Sequence, residues 1–275
     1  AYSAESAATS LMAFDDRELD IAEDGSFEFT YTAELGAKTL IVREVFCDWD
    51  TEERGTITIE RPDLLGQPAK ALSEKTMAKR YEVAARSLTG SILTWFEFPK
   101  WFQYKEPVNT LTAPQSTPGG LASQRSSIGH YELAEDQAMI VSVPRCDDCT
   151  YQAAQIGSDW YASTDYETHQ TSLTKAQAET DPDGVIRFVV AETPPYDGKP
   201  VANWLETTGH RTGSMMLRWQ QLTRDLTQDA DGPTIQVVAL ADVPQHLPHT
   251  TPLTTEEYAA RIAARQRSVA RRMIS

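Results

Sequence analysis

The chain has 275 residues, 40% of them hydrophobic and 24% charged, and 40 Asp and Glu outweigh 25 Lys and Arg to give a formal net charge of -15. That balance argues against binding nucleic acid or an anionic membrane, because both select Lys and Arg. The apolar share is that of a globular fold and excludes wholesale disorder, and no apolar run reaches the roughly 20 residues that span a bilayer.

In chain order, residues 1–18 form a polar N-terminal segment. Glu23-Asp24-Gly25 is a turn sequence, after which Phe27, Phe29 and Tyr31 alternate with Glu28, Thr30 and Thr32, the period of a half-buried strand. Thr39 to Phe46 is apolar on both faces apart from Arg43 and Glu44, which predicts a strand covered on both sides. Ile57 and Ile59 predict a third strand. From Pro68 to Leu88 the period lengthens: Met77, Tyr81, Ala84, Ala85 and Leu88 have helical spacing, and Gly90 is the expected stop. Trp95, Phe96, Phe98, Trp101, Phe102 and Tyr104 then form an aromatic cluster, and Pro107 to Ser127 has the composition of a long loop or arm.

The second half returns to strand patterns at Met139 to Val143, Tyr151 to Ile156, Ile186 to Val190, Met215 to Trp219 and Ile235 to Val243, with Asp181-Pro182-Asp183-Gly184 as a strong turn. Thr254 and Glu257 have capping-box spacing before a final helix, which carries an apolar stripe of Tyr258, Ile262, Val269 and Met273. Arg261, Arg265, Arg267, Arg271 and Arg272 decorate that helix. The sum predicts a mainly β fold, a β-sandwich or jelly-roll-like domain over 19–250, with a helical and aromatic insertion at 68–127 and a basic amphipathic helix over 251–275. Only Cys47, Cys146 and Cys149 are present, too few for a disulfide-stapled scaffold, so a reducing, cytoplasmic setting is expected.

Several motifs carry a resemblance that composition does not. They are Val42-Arg43-Glu44 with Phe46 and Asp48-Trp49-Asp50, Thr58 to Arg61, Asp165-Tyr166, Gln170 to Leu173, Gln177-Ala178 and Asp181 to Gly184. The sharpest run is Asn203-Trp204-Leu205, Thr207, Gly209-His210, Gly213 and Leu217-Arg218-Trp219. In this order, from Leu19 to Val243, the chain resembles the bacterial domain-of-unknown-function family numbered twelve-fourteen, often the C-terminal part of larger proteins. Glu206 stands where that pattern has Asp, Thr208 replaces a smaller residue, and His169 stands where an arginine is frequent. The resemblance implies a jelly-roll-like β fold and carries over no reaction.

Asn203, Trp204 and Arg218 are candidate ligand contacts: a Trp beside an amide suits a mostly apolar pocket, and Arg218 suits a carboxylate or phosphate. The bland alternative makes Trp204 a core plug and turns Arg218 to solvent, opposite Leu217 and Trp219. Asp165, Tyr166 and His169 invite an acid–base reading, since a carboxylate orients and tunes a His; the competing one is a hydrogen-bonded turn. Trp95 and Trp101 offer stacking surfaces for sugars or flat apolar ligands, or else a hydrophobic plug or oligomer contact. No metal or cofactor is expected: the lone Cys146-x-x-Cys149 lacks a second ligand pair, and Asp48, Asp50, Glu52 and Glu53 miss the calcium-loop spacing.

Three function classes follow. The first is a non-catalytic binding or accessory module for a small apolar or carbohydrate-like ligand, or for a partner domain. The second is a hydrolase or lyase on a carbohydrate or lipid-like substrate, with His210, Asp165 and Glu206 as acid–base groups and Arg218 as an anchor. A homo-oligomer assembled through the last helix or the Pro107 to Ser127 arm is a third.

Overall fold

The structure, a computed structural model, describes residues 14–31, 40–69, 71–101, 103–116 and 123–273. Among the described residues nine strands form two sheets, neither closed into a barrel. The first runs β1 (Thr110–Leu111), β2 (Gln124–Glu132), β8 (Thr212–Gln220), β4 (Tyr151–Gly157), β5 (Ser172–Thr174). The second runs β7 (Trp204–Glu206), β6 (Val185–Ala191), β3 (Gln137–Pro144), β9 (Thr234–Ala239). Only β6 and β7 pair in parallel.

Period-2 patterning explains which face meets which. Met215, Leu217 and Trp219 of β8 point inward with Tyr131, Ala154, Ile156 and Leu173, and meet Met139, Val141, Val143, Ile186, Phe188, Val190 and Leu205 from the second sheet. Each such large side chain contributes about 1.5–3 kcal/mol by leaving water. The central strands β3 and β6 are apolar on both faces because their outer residues Ala138, Ile140, Val189 and Ala191 form a second core with Val201, Trp204, Val243 and Leu247. Two of these come from a short helix region around α3 (Val243–His246), which follows the one-turn α2 (Gln228–Asp231) and β9. The strand expected to reach Val243 therefore ends at Ala239.

The outer face of the five-stranded sheet is covered differently. Along one cross-strand row Ser126, Arg218, Ala153 and Thr174 lie side by side. Ser126, Ile128, Met216 and Gln220 on this face are buried. Gly129 marks a close approach on β2: a Cβ there would run into the Thr110 carbonyl oxygen and lie 2.9 Å from Leu111 Cδ2. Gly129→Ala should therefore lower stability by about 1–3 kcal/mol, as overpacking against fixed backbone does, read from the midpoint of urea unfolding.

The N-terminal region departs from its predicted pattern. No strand forms among the described residues before Thr110: Phe27 to Tyr31, Leu40 to Phe46 and the Ile57 and Ile59 segment are irregular, and Thr32 and Thr39 lie outside the described residues. Their alternating residues find no sheet, and Ile41 and Ile59 are 64% and 69% exposed. Alternation makes a strand only when another strand takes up its backbone hydrogen bonds.

The predicted helix starts later and ends later. α1 spans Glu74–Trp101, passing through Gly90 and carrying Pro99 near its end. Ser73 Oγ accepts from Thr76 N at 3.2 Å and caps the start. A single glycine costs a helix only about 1 kcal/mol, so the apolar run from Ile92 to Phe98 continues as helix. The expected Pro107 to Ser127 arm is also corrected: its ends enter β1 and β2, while 117–122 lie outside the described residues.

The last helix, α4 (Thr255–Met273), has its predicted capping box, with Glu257 N donating to Thr254 Oγ1 at 3.1 Å and Thr254 N to Glu257 Oε2 at 2.8 Å. Its arginines hold it to the body. Arg265, 6% exposed, donates through Nε to Tyr166 O and through Nη1 to Ser172 O at 2.9 Å, with Nη2 reaching Ser172 Oγ at 2.7 Å. Its guanidinium lies 4.7 Å from the Trp49 ring centre, and that of Arg272 lies over both Phe46 and Trp49. Arg261 caps the carbonyls of Gln177 and Ala202, and Arg271 that of Trp49. α4 thus fastens the irregular N-terminal segment to β5 and the loop before it. Cys146 and Cys149 are joined as a disulfide in a turn after β3, where Lys175 Nζ donates to both their carbonyls.

Candidate functional site

The sequence candidates separate into two places. Around α4, Asn203 pairs its side-chain amide with the backbone of Glu179, accepting from Glu179 N at 2.8 Å and donating to Glu179 O at 2.7 Å. Trp204 is 4% exposed, donates from its indole N–H to Ala191 O at 3.0 Å, and packs on Tyr258 with ring centres 5.4 Å apart. Glu206 accepts from the Tyr258 hydroxyl at 2.5 Å and from Gln170 N at 2.8 Å.

Asp165 accepts from Glu167 N, Thr168 N and the Thr168 hydroxyl, with His169 Nδ1 3.4 Å away. Tyr166 is half-exposed and gives its carbonyl to Arg265. His210 sits in the turn after β7, where Thr208 and Gly209 have φ of 54° and 83°; its backbone N–H bonds Thr207 O and its side chain is exposed. Asp165, Tyr166 and His169 are brought together, but both proposed carboxylates are occupied by structural donors and neither hydrogen-bonds to His210.

That occupancy has a measurable cost in acid. The Thr168 hydroxyl, followed by backbone N–H groups, holds the Asp165 carboxyl at about 2 against an ordinary 3.8. Asp231, bonded by Arg224, is lowered as well. A carboxyl with a depressed folded pKa stabilises fully above its unfolded value, and the contribution disappears as pH falls through the folded one. Stability should drop between about pH 4 and 2, and Asp165→Asn or Asp231→Asn should flatten that slope in pH-dependent denaturant titrations.

The second place is the outer face of the five-stranded sheet. Here Trp95 and Arg218, far apart in the chain, meet through Tyr161. The turn after β4 is closed by Tyr161 N to Ser158 O and Ser158 N to Ala162 O, and places Tyr161 at φ 59°. Its ring lies 5.0 Å from Phe98 and stacks on Trp95 at 6.3 Å and 19°. Trp95 also meets Phe98 at 5.4 Å, and Phe96 meets Trp160 at 6.2 Å. Trp95, Phe96 and Trp160 are 51%, 48% and 64% exposed, so this wall of rings faces water. The side chain of Trp101 lies outside the described residues.

Behind the wall stands Arg218. Its Nη2 lies 2.9 Å from Met216 Sδ, which also takes the Tyr161 hydroxyl at 3.5 Å, and its Nε–H is buried with no acceptor among the described residues. Ser126 and Ala153 flank it across the strands, both small. Burial pushes the Tyr161 hydroxyl pKa up, while the Arg218 charge and hydrogen bond oppose the shift. Burial raises Tyr151 likewise, with Arg218 again opposing. Arg218 is thus not a solvent-facing strand residue but a cation set between two phenols. Tyr161, Trp160 and Met216 escaped the sequence reading; the one signal was two adjacent aromatics in a polar Gly-Ser-Asp turn.

Two surface hollows lie elsewhere, one between Arg125 and Arg224, the other between Val108, Leu133 and Arg211. Both open widely to solvent and their arginines are paired with carboxylates, so the ring wall is the better candidate. Among the described residues no group of three or more His, Cys, Asp or Glu could hold a metal ion, and no helix is long and apolar enough to cross a membrane.

The architecture defines a mainly β protein built on two sheets. No family model matches the chain, and no curated protein does. It is similar to the crystal structure of an uncharacterised protein from Burkholderia cenocepacia, with a TM-score of 0.67 and 28% identity over 82% of this chain. The chain spans 64% of that protein's length. The VPA0106 protein from Vibrio parahaemolyticus matches 44% of this chain and 32% of its own at 15% identity and a TM-score of 0.34.

Proposed function

We propose that the chain is a non-catalytic binding module for a small, flat ligand, apolar or carbohydrate-like, that lies against the rings of Trp95, Phe96, Trp160 and Tyr161. The observation that carries this reading is the wall itself: large rings left half in water beside a cation, where a structural plug would be covered. Exposed contiguous apolar surface of this kind marks interaction sites. We also read the chain, from its motif order, as a member of the domain-of-unknown-function family twelve-fourteen.

The test is a thermal-shift screen of fused-ring aromatics, steroids and sugars, followed by calorimetry on any hit with the wild type and Trp95→Ala. At least one class should raise the melting temperature, and Trp95→Ala should weaken it roughly tenfold, the worth of a lost stacking ring with its buried area. A screen in which no class shifts the melt, or a hit that ignores Trp95→Ala, overturns the reading.

A further inference from the structure

Resting on that reading, we infer that the ligand carries a single carboxylate, and that Arg218 with the Tyr161 hydroxyl forms its anchor behind the aromatic wall. With 40 acidic residues against 25 basic ones, carboxylates are plentiful, and Arg17, Arg61, Arg125, Arg145, Arg187, Arg211 and Arg224 each have one within 4.0 Å. Arg218 has none. Its partners are a thioether, a weak acceptor, and the Tyr161 hydroxyl, and its Nε–H has no partner among the described residues. A donor left unmade in a buried place costs free energy that a ligand acceptor recovers.

Shape narrows the class. Nε–H and Nη2–H lie along one edge of a guanidinium, the fork that a carboxylate fills with two parallel hydrogen bonds. Met216 Sδ holds the Nη2 half of that edge, on a flexible side chain that shifts at little cost. Once it shifts, a carboxylate meets both N–H groups, and the phenol of Tyr161 supplies a further donor. The rings of Tyr161, Phe98 and Trp95 continue outward from that point, so the body attached to the carboxylate is flat and apolar. One guanidinium offsets one negative charge, which favours a monocarboxylate over a phosphate dianion in a chain of net charge -15. The chemical class is an aryl carboxylic acid.

The probes are phenylacetate, its neutral amide and inorganic phosphate, titrated calorimetrically into the full chain and into Arg218→Met and Arg218→Lys. Phenylacetate should bind roughly 10- to 100-fold more tightly than the amide, the range for hydrogen bonds to a charged group. Arg218→Met should erase that difference while leaving the amide's affinity in place. Arg218→Lys, which keeps the charge but loses the fork, should fall between the two and serves alone if the methionine variant does not fold. Equal binding of acid and amide to the wild type, or acid affinity unchanged in Arg218→Lys, overturns the carboxylate anchor and leaves the aromatic site standing. Phosphate competing as well as phenylacetate overturns the choice of anion. Failure of both aryl probes, together with failure of the broader screen, removes the aromatic site as well.

Discussion

Replacing Arg265 with alanine is expected to lower the unfolding free energy by about 3–5 kcal/mol, since breaking a buried charged network leaves several acceptors stranded. The guanidinium of Arg265 serves Tyr166 O, Ser172 O and Ser172 Oγ, and lies over the Trp49 ring, 4.7 Å from its centre. Without it two backbone carbonyls lose their donor and the indole loses its cover. Burial already pushes its pKa down to about 10, with Tyr258 and Glu206 acting in the opposite direction, so it remains a cation at neutral pH. Arg265→Lys should recover only part of the loss, because one ammonium cannot span three acceptors as a planar fork does. Urea unfolding followed by circular dichroism measures the difference. A change of less than about 1 kcal/mol would mean that the helix is held by its apolar stripe alone.

Trp204→Ala should cost a similar about 3–5 kcal/mol, the usual range for emptying a buried large aromatic site. The indole fills the second core between β6 and α4 and bonds Ala191 O. Trp204→Phe separates the two contributions: the ring volume is largely kept, and the loss should shrink to about 1–2 kcal/mol for the orphaned carbonyl and the smaller ring. Neither variant should alter ligand affinity at the Trp95 wall. Trp95→Ala should show the reverse, weaker binding with stability changed by about 0.5 kcal/mol or less, as for exposed positions. Together the three assign Trp204 to structure and Trp95 to recognition.

The contrast explains what could be read in advance. From Met139 onward, strands with a full turn of alternation were apparent because one face enters a core, as Met215, Leu217 and Trp219 do around Arg218. The capping box at Thr254 and Glu257 was equally plain, being a local pattern with a local cause. β5 and β7 hold three residues each, too few to establish a period. Phe27 to Tyr31 misled because alternation describes a suitable side-chain order and says nothing of whether a partner strand is present. Gly90 misled because a helix tolerates one glycine when apolar residues follow it. At the site, Trp95 and Arg218 stood out by chemical type, yet their meeting depends on Tyr161 in a turn at positive φ, a tertiary fact. The arginines of α4 looked like surface charge because their acceptors, the carbonyls of Trp49, Tyr166 and Ser172, belong to distant segments.

That fastening imposes an order on how the protein is made. Segments fold broadly in the sequence in which they leave the ribosome, and α4 is synthesised after all nine strands and long after Trp49. The sheets can pair as they emerge, and Thr174 can hold the Cys47 carbonyl, but Phe46 and Trp49 gain their cationic cover only once Arg265 and Arg272 have been made. The Phe46 and Trp49 rings are therefore translated early and covered late.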